Sequence, residues 1–315
     1  MLMQVPQPIE LNLSSSALSH GNCKLALDRA VREGYKEKTM NCRMVYGIGV
    51  HKFISEMYLT GGHIPTARQA AIDAFNAIPR IDDRKSPHLS DVNHMHAVAL
   101  WTWEMCVKAD KEFEILMIND KPAVELNYSI PFYQDSYVKI NWCGTLDRIG
   151  KIKNGIWIIP DWKTTSSWSE KEYFTQYELA RAPRGYVLAM KLMAELYPDS
   201  ILGQIGKGAI GVRFDGVFVK PAVNDVKFAR SEVYRVDYDY SVNEFRELLT
   251  DKCREISDVI RTGYRPKNGI VNGGCEGKWG KCMFWNVCKL PDVVGEVLLK
   301  RDFDIKPFNP CAYND

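Results

Sequence analysis

The sequence predicts an α/β (α+β) fold: a mixed central sheet flanked by helices, with a helical lobe at the N-terminal side. Three observations predict it. Up to about residue 120 the apolar spacing is helical, over 14–33, 43–59, 66–78 and 90–116. After Asn119 and Pro122 the chain changes to β-branched and aromatic runs at 123–132, 137–152 and 156–163. Helical patterns return at 183–196 and 241–262, with strand-like runs at 208–219 and 230–238 between them. Elements in that order pack as helices on a sheet.

Each element has a local signal. Ser14, Ser15 and Ser16 are cap candidates for the first helix, and Pro87 punctuates ahead of the aromatic-rich segment 90–116. Lys153-Asn154-Gly155 reads as a three-residue hairpin loop with Gly155 at its left-handed position. Pro183 opens a helix that Pro198 ends. Phe245, Leu248, Leu249, Cys253, Ile256 and Ile260 make one stripe along 241–262. With no internal repeat, low-complexity tract or long linker, residues 1–315 are expected to form a single domain. Its expected parts are a helical lobe over 13–120, a core over 121–265, a cysteine-rich segment over 266–290 and a tail over 291–315.

Composition narrows the function classes. The 315 residues are 46% hydrophobic and 25% charged, with a formal net charge of +2, so bulk charge does not mark a nucleic-acid binder. A local basic bias runs over 24–52, where Lys24, Arg29, Arg32, Lys36, Lys38, Arg43 and Lys52 face Asp28, Glu33 and Glu37. An ordinary solvated helix face reads the same way. No apolar run approaches the ~20 residues that span a bilayer, and "MLMQVPQPIE" lacks a charged segment before an apolar one. The expectation is a cytoplasmic protein with no membrane partner, whose nine cysteines are reduced or metal-bound. Cys42, Cys106, Cys143, Cys253 and Cys311 are scattered and read as small buried side chains.

The chemistry concentrates in "GTLDRIGKIKNGIWIIPDWKTTSS". A buried-looking strand ends in Asp161-Trp162-Lys163. Pairing Ile152 with Ile156 across the Gly155 loop sets Asp147 opposite Asp161, and strand alternation puts Asp161 and Lys163 on one face. A two-residue Asn-Gly turn would instead set Asp147 opposite Trp162. Two carboxylates suit Mg²⁺ or Mn²⁺, and a nearby lysine can orient water or offset charge on a phosphate. A salt-bridged sheet end would use the same residues.

These residues resemble the core of the PD-(D/E)XK nucleases, specifically the RecB-type branch, through Gly144, Asp147, Asp161, Lys163 and Thr164. The resemblance implies a restriction-endonuclease-like sheet in which Asp147 and Asp161 bind metal. It adds the Trp162 carbonyl as a further ligand and gives Lys163 to the water. Upstream, "YGIGVHKFISE" resembles the same branch's G-x-x-x-H helix, with Gly47 and His51 on one face and His51 implied as a metal ligand. Glu125 stands where that branch often carries an acid; a solvated strand glutamate is the alternative. The branch's glutamine–tyrosine motif is matched only at Tyr186, because Ala182 occupies the glutamine position. Gln176 or Arg184 is the substitute for positioning DNA.

The cysteines extend the resemblance. "GGCEGKWGKCMFWNVCKLP" holds Cys275, Cys282 and Cys288 within fourteen residues. Together with "LSSSALSHGNCKLALDRA" it is similar to the iron–sulfur members of this branch, including the CRISPR-adaptation exonucleases and helicase–nuclease subunits. This implies a 4Fe–4S cluster on Cys23, Cys275, Cys282 and Cys288, with tetrahedral Zn²⁺ as the alternative. Six residues separate Cys275 from Cys282 where the branch usually has two.

Other signals are weaker. "GQIGKGAIG" is not a P-loop, so any helicase action would come from another protein. His94 and His96 point in different directions on a helix and read as structural. Trp168, Tyr173, Phe174 and Tyr177, with Lys171 and Arg181, suit either base stacking or core packing. The implied function is a Mg²⁺- or Mn²⁺-dependent DNA exonuclease acting on single strands or free ends in recombination, repair or viral DNA processing. A helicase or recombination protein is the expected partner. The alternatives are a catalytically silent DNA-binding or scaffold protein on the same fold, and a zinc-stapled enzyme unrelated to DNA.

Overall fold

The computed structural model describes residues 7–81, 86–166, 169–177, 180–235, 238–267, 273–277 and 280–306. Strand β1 (Ile9–Leu13) and helix α1 (Lys24–Val31) come first, followed by α2 (Cys42–Leu59), α3 (Ile64–Asn76) and α4 (Val92–Ala109). Strands β2 (Phe113–Ile115), β3 (Val124–Gln134), β4 (Val138–Arg148), β5 (Gly150–Ile152) and β6 (Trp157–Thr165) follow. Helices α5 (Glu170–Thr175), α6 (Arg181–Leu196) and α7 (Ile201–Gly206) lead to β7 (Ile210–Phe218), β8 (Lys227–Arg230) and β9 (Tyr234–Arg235). Helices α8 (Tyr238–Thr262), α9 (Trp285–Cys288) and α10 (Asp292–Asp302) follow. This is the mixed α/β structure the sequence predicts.

The chain forms two compact units: Met1–Lys38, Asn127–Gly144 and Asn243–Asp315 in one, Thr39–Leu126 and Thr145–Val242 in the other. They interleave along the sequence, so the segments 13–120 and 121–265 each contribute to both.

The second unit is built on a sheet of order β8-β7-β6-β5-β2, with β9 also on β7. Strands β6 and β7 run parallel, pairing Asp161 with Phe214 and Lys163 with Gly216. Parallel neighbours need a crossover, and α5 to α7 supply it. Every residue of β7 is buried, as expected of a central strand. The Gly155 turn forms as the sequence predicts. Gly155 has φ +83°, its N–H donates to the Ile152 carbonyl at 2.8 Å, and the Ile152 N–H donates to the Ile156 carbonyl at 3.0 Å. Helix α2 starts on Asn41, whose side chain accepts the Arg43 N–H at 2.9 Å. Its apolar residues Val45, Tyr46, Val50, Phe53 and Ile54 enter a core shared with Trp162 and Val217. Burying each large apolar side chain contributes roughly 1.5–3 kcal/mol.

Three expectations are revised. The long strand over 137–152 is cut at Ile149, whose N–H turns to the Ala123 carbonyl (3.2 Å) while its carbonyl accepts the Leu116 N–H (2.9 Å). The ladder between β5 and β6 therefore reaches only Gly150↔Ile158, and Asp147 is not a ladder partner of Asp161. The helix over 90–116 ends at Ala109, and Phe113–Ile115 pairs with β5 instead. The helix over 14–33 is a 3-10 turn at Ala17–His20 and then α1, broken around Cys23.

In the first unit β1 lies parallel to β4, from Ile9↔Val138 to Leu13↔Trp142, within a sheet of order β1-β4-β3. Buried Trp142 meets Phe245 of α8 edge to face, at 5.9 Å. The tail is structured where described: α10 precedes Phe303–Ile305, which pairs antiparallel with Tyr35–Glu37. Phe303 and Leu299 join Cys23, Leu25, Ala26, Phe284 and Val287 in a small core.

Candidate metal centre and cysteine cluster

In the second unit, α2 and the ends of β4 and β6 bring the predicted residues together. Gly47 permits the approach of α2, since a Cβ there would stand 2.8 Å from Thr164 Oγ1. One turn later His51 places Nδ1 3.5 Å from Asp147 Oδ2. The other contact of that carboxylate explains the lost ladder position, because Asp147 Oδ2 accepts the main-chain N–H of Trp162 at 2.8 Å. A side-chain bond replaces a ladder bond, and it brings the Asp147 and Asp161 carboxyls within hydrogen-bonding reach of each other. The carbonyl of Trp162 accepts from the His51 ring. The main chain of one residue thus meets both predicted ligands.

Asp161 is 1% exposed and is held by Lys163 Nζ at 2.5 Å and by the Tyr186 hydroxyl at 3.3 Å. Burial pushes its carboxyl up to about 7; Lys163 opposes that and the Asp147 charge adds to it. Burial works against the Lys163 ammonium, yet Asp161 and Asp147 more than reverse this and raise it, so Lys163 is cationic in this arrangement. Burial and the Lys163 charge push His51 down to about 4, which keeps an imidazole lone pair free for a cation.

Glu125 has a larger part than its sequence context suggests. Among the described residues, His51, Glu125 and Asp147 each offer a donor atom within 4.8 Å of the other two. Glu125 adopts φ +48°, a left-handed backbone rare for a residue with a side chain. Such strain is held where a site requires it. Burial and the Asp147 charge push its carboxyl up to about 8. Crowded acids with raised values and a neutral imidazole form an oxygen-rich donor set with which a divalent cation fits.

Of the DNA-positioning candidates, Tyr186 reaches the site. Gln176 donates to the Tyr173 carbonyl at 2.6 Å, within its own helix end. Arg184 lies two residues before Tyr186 on α6, so the two side chains leave the helix in different directions. The aromatic group is core: Tyr173 and Phe174 are buried, and Tyr177 stacks on Phe214 at 4.2 Å. Trp168 lies outside the described residues. His94 is structural, as expected, bonded to the Tyr46 hydroxyl and the Lys220 carbonyl at 2.9 Å each.

One feature of this unit has no signal in the sequence. Behind β6, Arg148 is 1% exposed and bonds Asp215 (2.6 Å), Asp110 (3.3 Å) and the Tyr58 hydroxyl (2.8 Å). Arg213 and Arg230 bind the same two acids. Burial pushes the Asp215 carboxyl up, but Arg213, Arg148 and Arg230 outweigh it and leave it below its ordinary value. Only tertiary packing brings these scattered charges together.

In the first unit, Cys23 and Cys282 gather with Cys288 around the small apolar core. Cys275 joins through the Cys282 N–H, which donates to its carbonyl at 2.9 Å. Between these two cysteines a hairpin pairs Glu276 with Lys281 and Gly277 with Gly280, which accommodates the long spacing. The four thiols act on one another electrostatically: Cys23 and Cys288 raise Cys275, after burial. Arg29 reaches Cys288 Sγ at 3.8 Å and lies over Phe284. Three soft donors, Cys23, Cys282 and Cys288, thus lie at a small apolar core, with the Arg29 guanidinium beside Cys288 and Cys275 tied on by its main chain. No three of these sulfurs lie within 4.8 Å of one another.

No protein-family model matches this chain, and no curated protein matches it.

Proposed function

We propose that this chain is a metal-dependent DNA nuclease of the RecB-type PD-(D/E)XK class, acting as an exonuclease on single strands or free ends. The supporting observation is the convergence of His51, Glu125 and Asp147 on one point, with the Trp162 carbonyl and the Asp161–Lys163 pair beside it. Asp147 and Asp161, with Glu125, His51 and the Trp162 carbonyl, are the residues that would hold Mg²⁺ or Mn²⁺. The ion would acidify a water and polarise a phosphoryl oxygen. Lys163 supplies a fixed ammonium to orient the water and offset charge on the phosphate. Tyr186 and Lys163 hold the two oxygens of Asp161, limiting its rotation. The imidazole ligand favours Mn²⁺ alongside Mg²⁺.

For the four cysteines the resemblance to the iron–sulfur members of that branch favours a 4Fe–4S cluster, with tetrahedral Zn²⁺ as the alternative. The cluster would act as a staple between distant parts of the chain. A catalytically silent DNA-binding or scaffold protein is the second reading, favoured by Ala182 at the glutamine position.

The test is incubation of anaerobically purified protein with end-labelled single- and double-stranded DNA and Mg²⁺ or Mn²⁺. Metal-dependent degradation that Lys163→Ala abolishes supports the nuclease. DNA binding without cleavage by either protein supports the scaffold.

A further inference from the structure

We infer that Arg148 is a positioning residue of the carboxylate site, acting through the indole of Trp162. The inference rests on the reading of that site as a metal centre. Arg148 follows Asp147 directly, so on a strand its side chain leaves the opposite face. There its guanidinium lies over the Trp162 ring, 4.4 Å from the centroid, with Phe228 tilted against the same indole at 6.0 Å. The indole is 3% exposed. The main chain of the same residue carries the N–H that binds Asp147 and, in the next peptide group, the carbonyl that takes His51. Fixing the ring fixes the Cα between those two peptide groups, and with it the separation of two metal donors.

The guanidinium is itself fixed. Asp215, Asp110 and the Tyr58 hydroxyl hold it, and it lies within cation–π range of Tyr58 (5.5 Å) and Phe113 (5.4 Å) as well. A planar fork both stacks and bonds in plane, which an ammonium cannot do. The network holds three guanidiniums, Arg148, Arg213 and Arg230, against two carboxylates, Asp110 and Asp215. Its surplus positive charge is opposite in sign to the acids of the metal centre.

Replacing Arg148 by Met leaves two guanidiniums facing two carboxylates, a balanced set compatible with folding. Two measurements on the full chain test the proposal: Mn²⁺ affinity by calorimetry, and amide hydrogen exchange at Trp162 in metal-free protein. Arg148→Met is expected to weaken Mn²⁺ binding about 10- to 100-fold, the usual effect of removing a group that orients metal ligands. The Trp162 amide should exchange faster, and Arg148→Lys should recover only part of either effect. A merely structural arginine would lower the melting temperature and leave the affinity of the folded protein unchanged. A folded Arg148→Met with wild-type affinity and wild-type Trp162 exchange overturns the proposal. Should Arg148→Met not fold, Trp162→Phe carries the same expectation and the same overturning result. Absence of Mn²⁺ binding by the wild type would overturn the metal reading, while Trp162 exchange still decides the positioning claim.

Discussion

The carboxylate centre and the cysteine cluster are built in opposite ways. The first hangs from regular structure: a capped helix, two strand ends and the main chain of Trp162 between them, with a buried ionic network behind. Its donors are hard, and hydrogen bonds and packing set their spacing. The second hangs from a helix N-terminus, a four-residue helix and a two-stranded hairpin around a small core. Its donors are soft, and the long sequence separation between Cys23 and Cys275 makes a metal the most effective clasp. On the proposed reading, the first site's fold is complete without an ion, whereas a metal at the second would complete the fold.

Lesions should therefore divide cleanly. Asp161→Ala should lower metal-dependent DNA cleavage about a thousandfold or more, while leaving iron content and secondary structure intact. A matched loss of iron would break the comparison. Cys282→Ser should do the reverse: loss of iron and its visible absorption, and a melting temperature lower by several degrees, at roughly 2–4 °C per kcal/mol for a large domain. Its remaining folded fraction should still bind Mn²⁺.

Glu125 sharpens the contrast further. Glu125→Gln should weaken Mn²⁺ binding about tenfold, roughly 1.4 kcal/mol by titration calorimetry. Glu125→Gly should weaken it as much but raise the unfolding free energy of the metal-free protein by about 1 kcal/mol, by relieving the left-handed backbone. Unchanged stability in the glycine variant would show that φ +48° carries no strain.

The smallest effect concerns the ionic network. Asp215 is held below its ordinary carboxyl value in the folded chain and returns to that value, near 3.9, on unfolding. The unfolded state then binds more protons as pH falls, so this stability is present above about pH 4 and fades as pH drops through the folded value. Melting temperatures between pH 2 and pH 6 should show that acid slope, reduced in Asp215→Asn. The same slope in both proteins would place the acid sensitivity elsewhere.

The sequence carried much of this. Gly155 was legible because a left-handed loop position has few occupants, and Gly47 with His51 because helical spacing fixes a common face. The break at Ile149 was not, although Gly150 follows it: a lone glycine in a strand pattern does not say which backbone approaches, and here the hydrogen bonds of Ile149 to Ala123 and Leu116 pull the strand aside while a Cβ at Gly150 would meet the Glu114 carbonyl. Alternation alone cannot show that the backbone at Glu125 bends into the left-handed region and brings its carboxyl to Asp147. Arg148, Arg213, Arg230, Asp110 and Asp215 are ordinary charges in sequence, and only the packing of α4, β4, β7 and β8 makes them a network. Helix α10 was missed because its exposed valines, Val293, Val294 and Val297, blur its amphipathic pattern.

The most direct test of the central claim is an anomalous diffraction map of crystals soaked in Mn²⁺. A peak within coordinating distance of Asp147, Asp161, His51, Glu125 and the Trp162 carbonyl is the predicted result. Crystals saturated with Mn²⁺ that show no peak there, or a peak only on unrelated surface acids, would contradict it.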